Sequence, residues 1–204
     1  HSLEQIDDVS VQPRRQQNRL LPAESPVVPA DWRQFVNEPD TDWSLPHNAD
    51  WAQQTLGRWQ TRSGDQATHI ELFVGDQQAD PASRTVRESF DPSRVGTVAC
   101  RFVEATADDI AAAVAIATDD PSNWRQTTFQ HRHDLLRAAA QQMRDRRGDL
   151  IAAAVADGGK TFVEADPEVS EAIDFTEFYP LSAEPFLARG ARPTGVVAVI
   201  SPWI

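Results

Sequence analysis

Cysteine is nearly absent from this sequence, in which Cys100 is the only one among 204 residues. A single cysteine excludes an intrachain disulfide framework and a zinc site made of several thiolates, and a free thiol fits a reducing compartment such as the cytoplasm. A lone free cysteine is more often a small buried apolar residue than a nucleophile. We therefore predict that Cys100 serves packing rather than catalysis.

Long apolar runs and positive charge are also scarce. No segment reaches the ~18 consecutive apolar residues that a membrane-spanning helix requires, and the first residues contain no signal-peptide core. The chain carries 19 lysines and arginines against 31 acids, which gives a formal net charge of −12. Because nucleic acids and anionic membranes are bound through basic surfaces, we expect no nucleic acid partner and no membrane span.

Familiar catalytic motifs are missing as well. The sequence contains no GxGxxG, Walker or GxSxG pattern. His131 and His133 are two residues apart, whereas a metal-binding pair on a helix needs a spacing of three or four, so we expect no metal site. The turn Asp157-Gly158-Gly159-Lys160 could cradle a phosphate, but a glycine pair at a helix end is better explained as a C-terminal cap.

The first part of the chain differs in composition from the rest. Residues 1–30 are polar and contain Pro13, Pro22, Pro26 and Pro29, which predicts a linker. Residues 31–204 are expected to form the folded part. Four tryptophans then lie among polar residues, and we interpret them as anchors onto a neighbouring domain, rather than a ligand platform: Trp32, Trp43, Trp51 and Trp59.

The expected secondary structure is strands followed by helices. The spacing of Trp51, Thr55 and Trp59 predicts a helix from about Ala49 to Arg62 with Asn48 as its N-cap. Apolar runs predict strands at 70–74, 83–90 and 96–103, two of them paired around the turn from Gly75 to Pro81. Further helices are predicted after Thr106, after Trp124, from about Asp149 to Gly158, and from an N-cap at Asp166.

The end of the chain indicates a parallel sheet. Five apolar residues, Val196 to Ile200, are bounded by Gly195 and Ser201, a pattern typical of a strand that is covered on both faces. Such a strand is normally followed by a crossover helix and a neighbouring strand, which would have to lie beyond Ile204. We therefore interpret the chain as the amino-terminal part of a larger α/β protein.

Several of these segments together resemble a known family. Residues 195–203, Gly-Val-Val-Ala-Val-Ile-Ser-Pro-Trp, resemble the first cofactor-binding strand and loop of aldehyde dehydrogenases. Residues 157–160, 163–166 and 171–175 are similar to the branch that oxidises L-glutamate γ-semialdehyde, the 1-pyrroline-5-carboxylate dehydrogenases. Residues 37–46 resemble the same branch, especially in bifunctional proline utilisation A proteins, where a proline dehydrogenase domain precedes it. The resemblance covers about Phe35 to Trp203.

This resemblance implies a fold and a set of site residues. The fold is α/β, the amino-terminal part of an aldehyde dehydrogenase fold with a β-hairpin arm, helices and the first strand of the NAD-binding sheet. Glu171 matches a helix carboxylate near the aldehyde entrance and is the expected substrate contact. α/β proteins bind ligands beyond the carboxyl ends of their strands. The expected cofactor contacts therefore lie at the carboxyl end of that strand, near the end of the chain: Ile200, Ser201, Pro202 and Trp203.

The resemblance also implies partners. NAD is the expected cofactor, with FAD only if a proline dehydrogenase domain lies upstream. The expected partner is a small-molecule aldehyde, in a protein that forms a homo-oligomer at full length. No catalytic residue is expected in these 204 residues, because the family's nucleophilic cysteine and general-base glutamate would follow Ile204. We therefore expect the chain alone to be inactive.

One position departs from the family pattern. After the tryptophan the family has an asparagine that helps to hold the developing oxyanion, but Ile204 has no side-chain donor. Three interpretations of this residue and of the missing catalytic groups stay open. In the first, the chain is part of an active enzyme and Ile204 is an artefact of truncation. In the others, the chain is an inactive homologue or a non-catalytic acidic interaction module.

Overall fold

The computed structural model describes residues 16–24, 35–192 and 194–201. Within them the helices are α1 Pro46–Gln60, α2 Ala107–Asp119, α3 Phe129–Asp145, α4 Arg147–Gly158 and α5 Phe162–Ala188. The strands are β1 Thr68–Ile70, β2 Phe73–Val74, β3 Gln77–Gln78, β4 Val86–Phe90 and β5 Val98–Val103. The chain thus has the mixed helix and strand composition that was expected for the fold class.

The strands form two small sheets. One has the order β1-β5-β4, with β1 parallel and β4 antiparallel to β5. The other is a β2–β3 hairpin around Gly75 and Asp76. The expected single strand at 70–74 is therefore divided between two sheets, and the predicted pairing around Gly75 to Pro81 is wrong. Gly75 has a φ of +61°, which permits a two-residue turn, so the residues that follow it at once pair with β2.

Helix starts follow capping chemistry. Thr106 caps α2 as predicted, and it forms a capping box with Asp109. The prediction that the last helix starts at Asp166 is wrong, because Thr161 caps the helix five residues earlier and forms a capping box with Glu164. Asn48 is not a cap either. It lies inside α1, fully buried, and its amide donates to the Asp42 carbonyl over 2.9 Å.

The core lies where α3, α4 and α5 meet. Its buried residues are Ala140, Ile151, Ala165, Val169 and Ile173. Trp43 and Trp51 contact the edge of the Phe162 ring at centroid distances of 5.7 and 5.3 Å. Trp59 donates from Nε1 to Asp149 over 2.7 Å. These tryptophans do anchor their segment, although the surface belongs to this chain's own helices, and Trp32 lies outside the described residues.

The turn after α4 is the predicted C-terminal cap. Gly159 has a φ of +68° and its N–H bonds the Val155 carbonyl. A Cβ at this position would lie 2.7 Å from Pro92 Cγ. Lys160 pairs with Glu168 on α5 rather than facing an open phosphate cradle. The glycine therefore allows both the left-handed turn and the close approach of the loop that contains Pro92.

We predict that Gly159→Ala lowers the free energy of unfolding by about 1–3 kcal/mol, because a Cβ disfavours the left-handed conformation and collides with Pro92. Gly57→Ala is the matched control. Gly57 lies inside α1 with open space around it, so alanine should raise stability by about 0.5–1 kcal/mol. Urea unfolding measures both. An equal effect of the two substitutions would contradict the assignment of Gly159.

Candidate functional site

One face of α5 is occupied by carboxylates that hold the segment preceding α1, two of them directly and Glu177 through Arg144. Asp166, Asp174 and Glu177 make up this set, which we call the carboxylate clamp. Asp166 accepts from the backbone N–H and the hydroxyl of Thr41, over 2.6 and 2.7 Å. Asp174 accepts from the backbone N–H of Glu38 over 2.7 Å. Because these positions share a helical face, the clamp holds residues 38–41 along α5.

Two arginines complete the clamp. Arg147 lies on α4, and its Nε donates to Asp166 Oδ1 over 2.7 Å. The side chains of Arg147 and Asp166 are only 2% and 0% exposed. Arg144 joins Glu38 and Glu177, at 2.7 and 2.8 Å. Three elements, α3, α4 and α5, are thus joined to one extended segment by charged hydrogen bonds that are largely shielded from water.

Burial and charge act in opposite directions on the pKa of Arg144. Burial alone would lower the pKa of Arg144, but its hydrogen bonds to Glu177 and Glu38 outweigh burial and raise the pKa. Arg147 also donates from Nη2 to the Ser170 hydroxyl over 2.7 Å. Its Nη1 lies 3.8 Å from a Glu38 oxygen. Arg144 therefore stays charged inside the clamp.

Glu171 lies on a different side of α5 from the clamp. It is exposed. At 100° per residue it shares a face with Phe175 and Phe178, whose side chains are 46% and 41% exposed. The clamp holds the opposite side of α5, so the Glu171 carboxylate and the Phe175 ring stay exposed, while the Phe178 ring also contacts the Phe35 ring edge-on at a centroid distance of 5.3 Å. The arrangement suits a cationic group on a small molecule, which a carboxylate attracts and an aromatic face also favours.

The expected cofactor contacts lie at the chain's end, and only part of them can be placed. Ile200 and Ser201 lie in the described segment 194–201, while Pro202 and Trp203 lie outside the described residues. The expected strand at 196–200 is not formed, and Val199 and Ile200 are 84% and 90% exposed. A strand needs a neighbour for its backbone groups, and none of the described strands pairs with this segment.

This end segment carries groups of the kinds that nucleotide sites use. The hydroxyl and backbone N–H of Ser201 are groups that bind phosphate or ribose oxygens. Val199 and Ile200 offer exposed apolar surface of the kind that lines cofactor clefts. The remaining walls, including a helix N-terminus for the pyrophosphate, are not provided by residues 194–201. Residues 194–201 alone therefore do not form such a site.

Other candidates from the sequence have structural roles. Cys100 lies on β5, and burial, together with the negative charge of Asp157, raises the pKa of its thiol, which opposes thiolate formation. Among the described residues no three histidines, cysteines or acids are grouped to hold a metal ion. In the same part of the chain no helix is long and apolar enough to cross a membrane.

Sequence reasoning missed the clamp. The sequence predicts Asp166 as an N-cap, whereas it lies inside α5 and is fully buried. The spacing of Asp166, Asp174 and Glu177 does place them on one helical side. Asp166 bonds Thr41, 125 residues away along the chain. Asp174 bonds Glu38 and Asn37, 136 and 137 residues away. Pairings over such separations leave no local pattern in the sequence.

Comparisons with known proteins agree with the resemblance seen in the sequence. Residues 79–203, more than half of the chain, match the Aldehyde dehydrogenase family. A 1-pyrroline-5-carboxylate dehydrogenase of Bacillus pumilus is 28% identical over 182 residues, which is 83% of this chain and 34% of that protein. The chain thus spans about a third of the length of the curated relatives it matches.

Solved structures give the same result. The structure of 1-pyrroline-5-carboxylate dehydrogenase from Thermus with bound NAD has a TM-score of 0.68 and 29% identity, covering 82% of this chain and 31% of that one. Proline utilization A from Bdellovibrio bacteriovorus has a TM-score of 0.69 at 24% identity, covering 81% of this chain and 17% of that one. The second likeness shows the fold alone.

We predict that Asp166→Ala lowers the free energy of unfolding by about 3–5 kcal/mol, because it leaves the Arg147 charge buried without its partner. Glu168→Ala, two residues along α5, removes only the exposed pair with Lys160 and should cost less than about 1 kcal/mol. The double variant Arg147→Met with Asp166→Leu should lower the free energy of unfolding by less than Asp166→Ala does, because no charge is then left buried. Equal losses for Asp166→Ala and Glu168→Ala in urea unfolding would contradict a buried pair.

Proposed function

The chain belongs to the aldehyde dehydrogenase family, and from this premise we propose that the protein containing it oxidises L-glutamate γ-semialdehyde to L-glutamate with NAD in proline catabolism. The observation that carries the proposal is the similarity of four fifths of the chain to proteins named 1-pyrroline-5-carboxylate dehydrogenase. 1-Pyrroline-5-carboxylate is the cyclic imine of this aldehyde, and hydrolysis opens it to the substrate. NAD, when bound, accepts the hydride.

We assign substrate binding in this chain to Glu171. The proposed substrate carries an α-ammonium group at the end opposite its aldehyde. A carboxylate on the open face of α5 would hold that ammonium by a charge-assisted hydrogen bond, with the exposed rings of Phe175 and Phe178 beside it. The carboxylate clamp keeps α5 in place, so the carboxylate is presented at a fixed distance from the rest of the site.

Ile200 and Ser201 are proposed to line the cofactor cleft, followed by Pro202 and Trp203. Their contribution is to orient the nucleotide and keep water away from it. The family's cysteine and glutamate, which carry the covalent chemistry, are proposed to lie in the two thirds of the relatives' length that this chain does not span. Cys100, on β5 with a raised pKa, does not replace that cysteine.

Two further features of the whole protein are proposals. A proline dehydrogenase domain with FAD upstream of residue 1 would make the protein bifunctional, in line with its likeness to proline utilization A. Full-length chains are proposed to form a homo-oligomer. The second candidate function is that of an inactive homologue, which is favoured by Ile204, because isoleucine cannot donate to an oxyanion.

We predict that the full-length protein reduces NAD when supplied with L-glutamate γ-semialdehyde, and that the 204-residue chain alone does not. NADH absorbance measures the rate. An aldehyde of similar length without amino and carboxyl groups serves as the specificity control and should be oxidised far more slowly. A full-length protein that binds NAD but oxidises neither aldehyde would overturn the proposal in favour of the inactive homologue.

We predict that Glu171→Gln in the full-length protein raises KM for the semialdehyde by about 10- to 100-fold with little change in kcat, because one charge-assisted hydrogen bond to the ammonium is lost. Glu168→Gln, also exposed and one turn earlier on α5, should leave KM unchanged. KM for the control aldehyde without an amino group should not respond to Glu171→Gln. If Glu171→Gln raised KM for the control aldehyde by the same factor, Glu171 would affect the conformation of α5 rather than bind the substrate.

A further inference from the structure

Residues 16–24 lie within the predicted linker, yet they contact the folded part of the chain closely. We call residues 16–24 the tether and residues 39–48, which precede and begin α1, the docking segment. The tether backbone turns on itself, and Leu20 and Leu21 donate their N–H groups to Asn18. The two leucines are 46% and 63% exposed, so apolar burial contributes little to the contact. Hydrogen bonds therefore account for most of it.

Gln17 is bound through both ends of its amide and through its backbone. Its Nε2 donates to the Asp40 carbonyl over 3.2 Å, and its Oε1 accepts from the Asp42 N–H over 2.8 Å. Its own carbonyl accepts from His47 Nε2 over 2.6 Å. A side chain with a donor and an acceptor side by side is required for the first two bonds, and only glutamine or asparagine has one.

Arg19 makes three further bonds. Its Nε donates to the Thr41 hydroxyl over 3.2 Å and its Nη2 to the Pro39 carbonyl over 2.8 Å. Its backbone N–H donates to the side chain of Asn48 over 3.0 Å. The forked guanidinium reaches two acceptors at once, which a lysine ammonium on a flexible stem does not reproduce.

The docking segment depends on the tether in return. Asn48 is fully buried and Thr41 is 4% exposed. The Asn48 side-chain oxygen accepts from Arg19, and the Thr41 hydroxyl accepts from Arg19 while donating to Asp166 over 2.7 Å. Buried polar groups are costly when they lack partners, so these residues favour an occupied site. Thr41 also joins the tether directly to the carboxylate clamp.

Electrostatics agree with this geometry. Burial, together with the positive charge of Arg147, lowers the pKa of Arg19 to about 10, while Asp166, Glu38 and Asp40 oppose the shift. Arg19 nevertheless remains a cation at neutral pH. It is thus a partly buried charge that three nearby acids hold beside Arg147.

We propose that Gln17-Asn18-Arg19 is a sequence-specific docking motif, and that residues 39–48 are its binding surface within the same chain. The polypeptide that precedes residue 16 is then attached at a defined point beside α1. Any domain upstream is positioned through this point. The inference does not depend on the proposed enzymatic activity, because it rests on hydrogen bonds among described residues.

Hydrogen exchange read by mass spectrometry on the intact chain tests the motif. Residues 16–24 should exchange much more slowly than in the denatured chain. Arg19→Ala should reduce this protection by about tenfold or more, as expected when charged hydrogen bonds are lost. Arg19→Lys should reduce the protection of residues 16–24 by nearly the same factor. Gln16→Ala is the matched control, since Gln16 is exposed, and it should change nothing.

Four results would overturn the proposal. One is an absence of protection at residues 16–24 in the unaltered chain. Another is full protection in Arg19→Lys, which would indicate charge attraction without a specific fit. Protection that rises with protein concentration would place the tether on a second copy. Exchange in α5 separates local release from general unfolding. It should stay slow in Arg19→Ala, and equal acceleration in α5 and the tether would also contradict a separate docking contact.

Discussion

The buried pair of Arg147 and Asp166 is the interaction on which most of the described structure depends. Arg147 begins α4 and Asp166 lies in the second turn of α5, so the pair fixes two helices against each other at the edge of the apolar core. The same carboxylate binds Thr41, which holds the segment before α1. An isolated buried charge is unfavourable, and each member therefore requires all the others to be in place.

This network explains how an acidic chain with a small core keeps its arrangement. The apolar cluster at α3, α4 and α5 is modest, and α1 joins it mainly through Trp51 and through Trp59, which donates to Asp149. Hydrogen bonds are directional, so they fix a single register between the extended segment 37–41 and α5, which apolar contact alone does not do. Polar contacts of this kind select one arrangement more than they add to overall stability.

Local chemistry was predictable from the sequence, whereas long-range pairing was not. Thr106 and Gly159 were assigned correctly as caps because a cap depends on a few consecutive residues. The start of α5 was misplaced because Asp166-Pro167 offers a second, weaker start signal behind Thr161 and Glu164. The terminal strand at 196–200 was predicted from its apolar run, but strand formation depends on a neighbour that no local pattern supplies. Glu171 and the residues 200–203 were placed by family resemblance alone.

The division of α5 into two faces has a consequence for how the helix can change over evolution. Asp166, Asp174 and Glu177 are tied to residues 37–41 and to two arginines, so a substitution at any of them is tolerated only with a compensating change in a distant part of the chain. Glu171 and Phe175 lie on the other face of α5, away from the clamp, whereas Phe178 on that face packs against Phe35. Relatives can therefore alter what the open face recognises while inheriting the helix itself unchanged, and new substrate preferences can arise on α5 without a loss of folding.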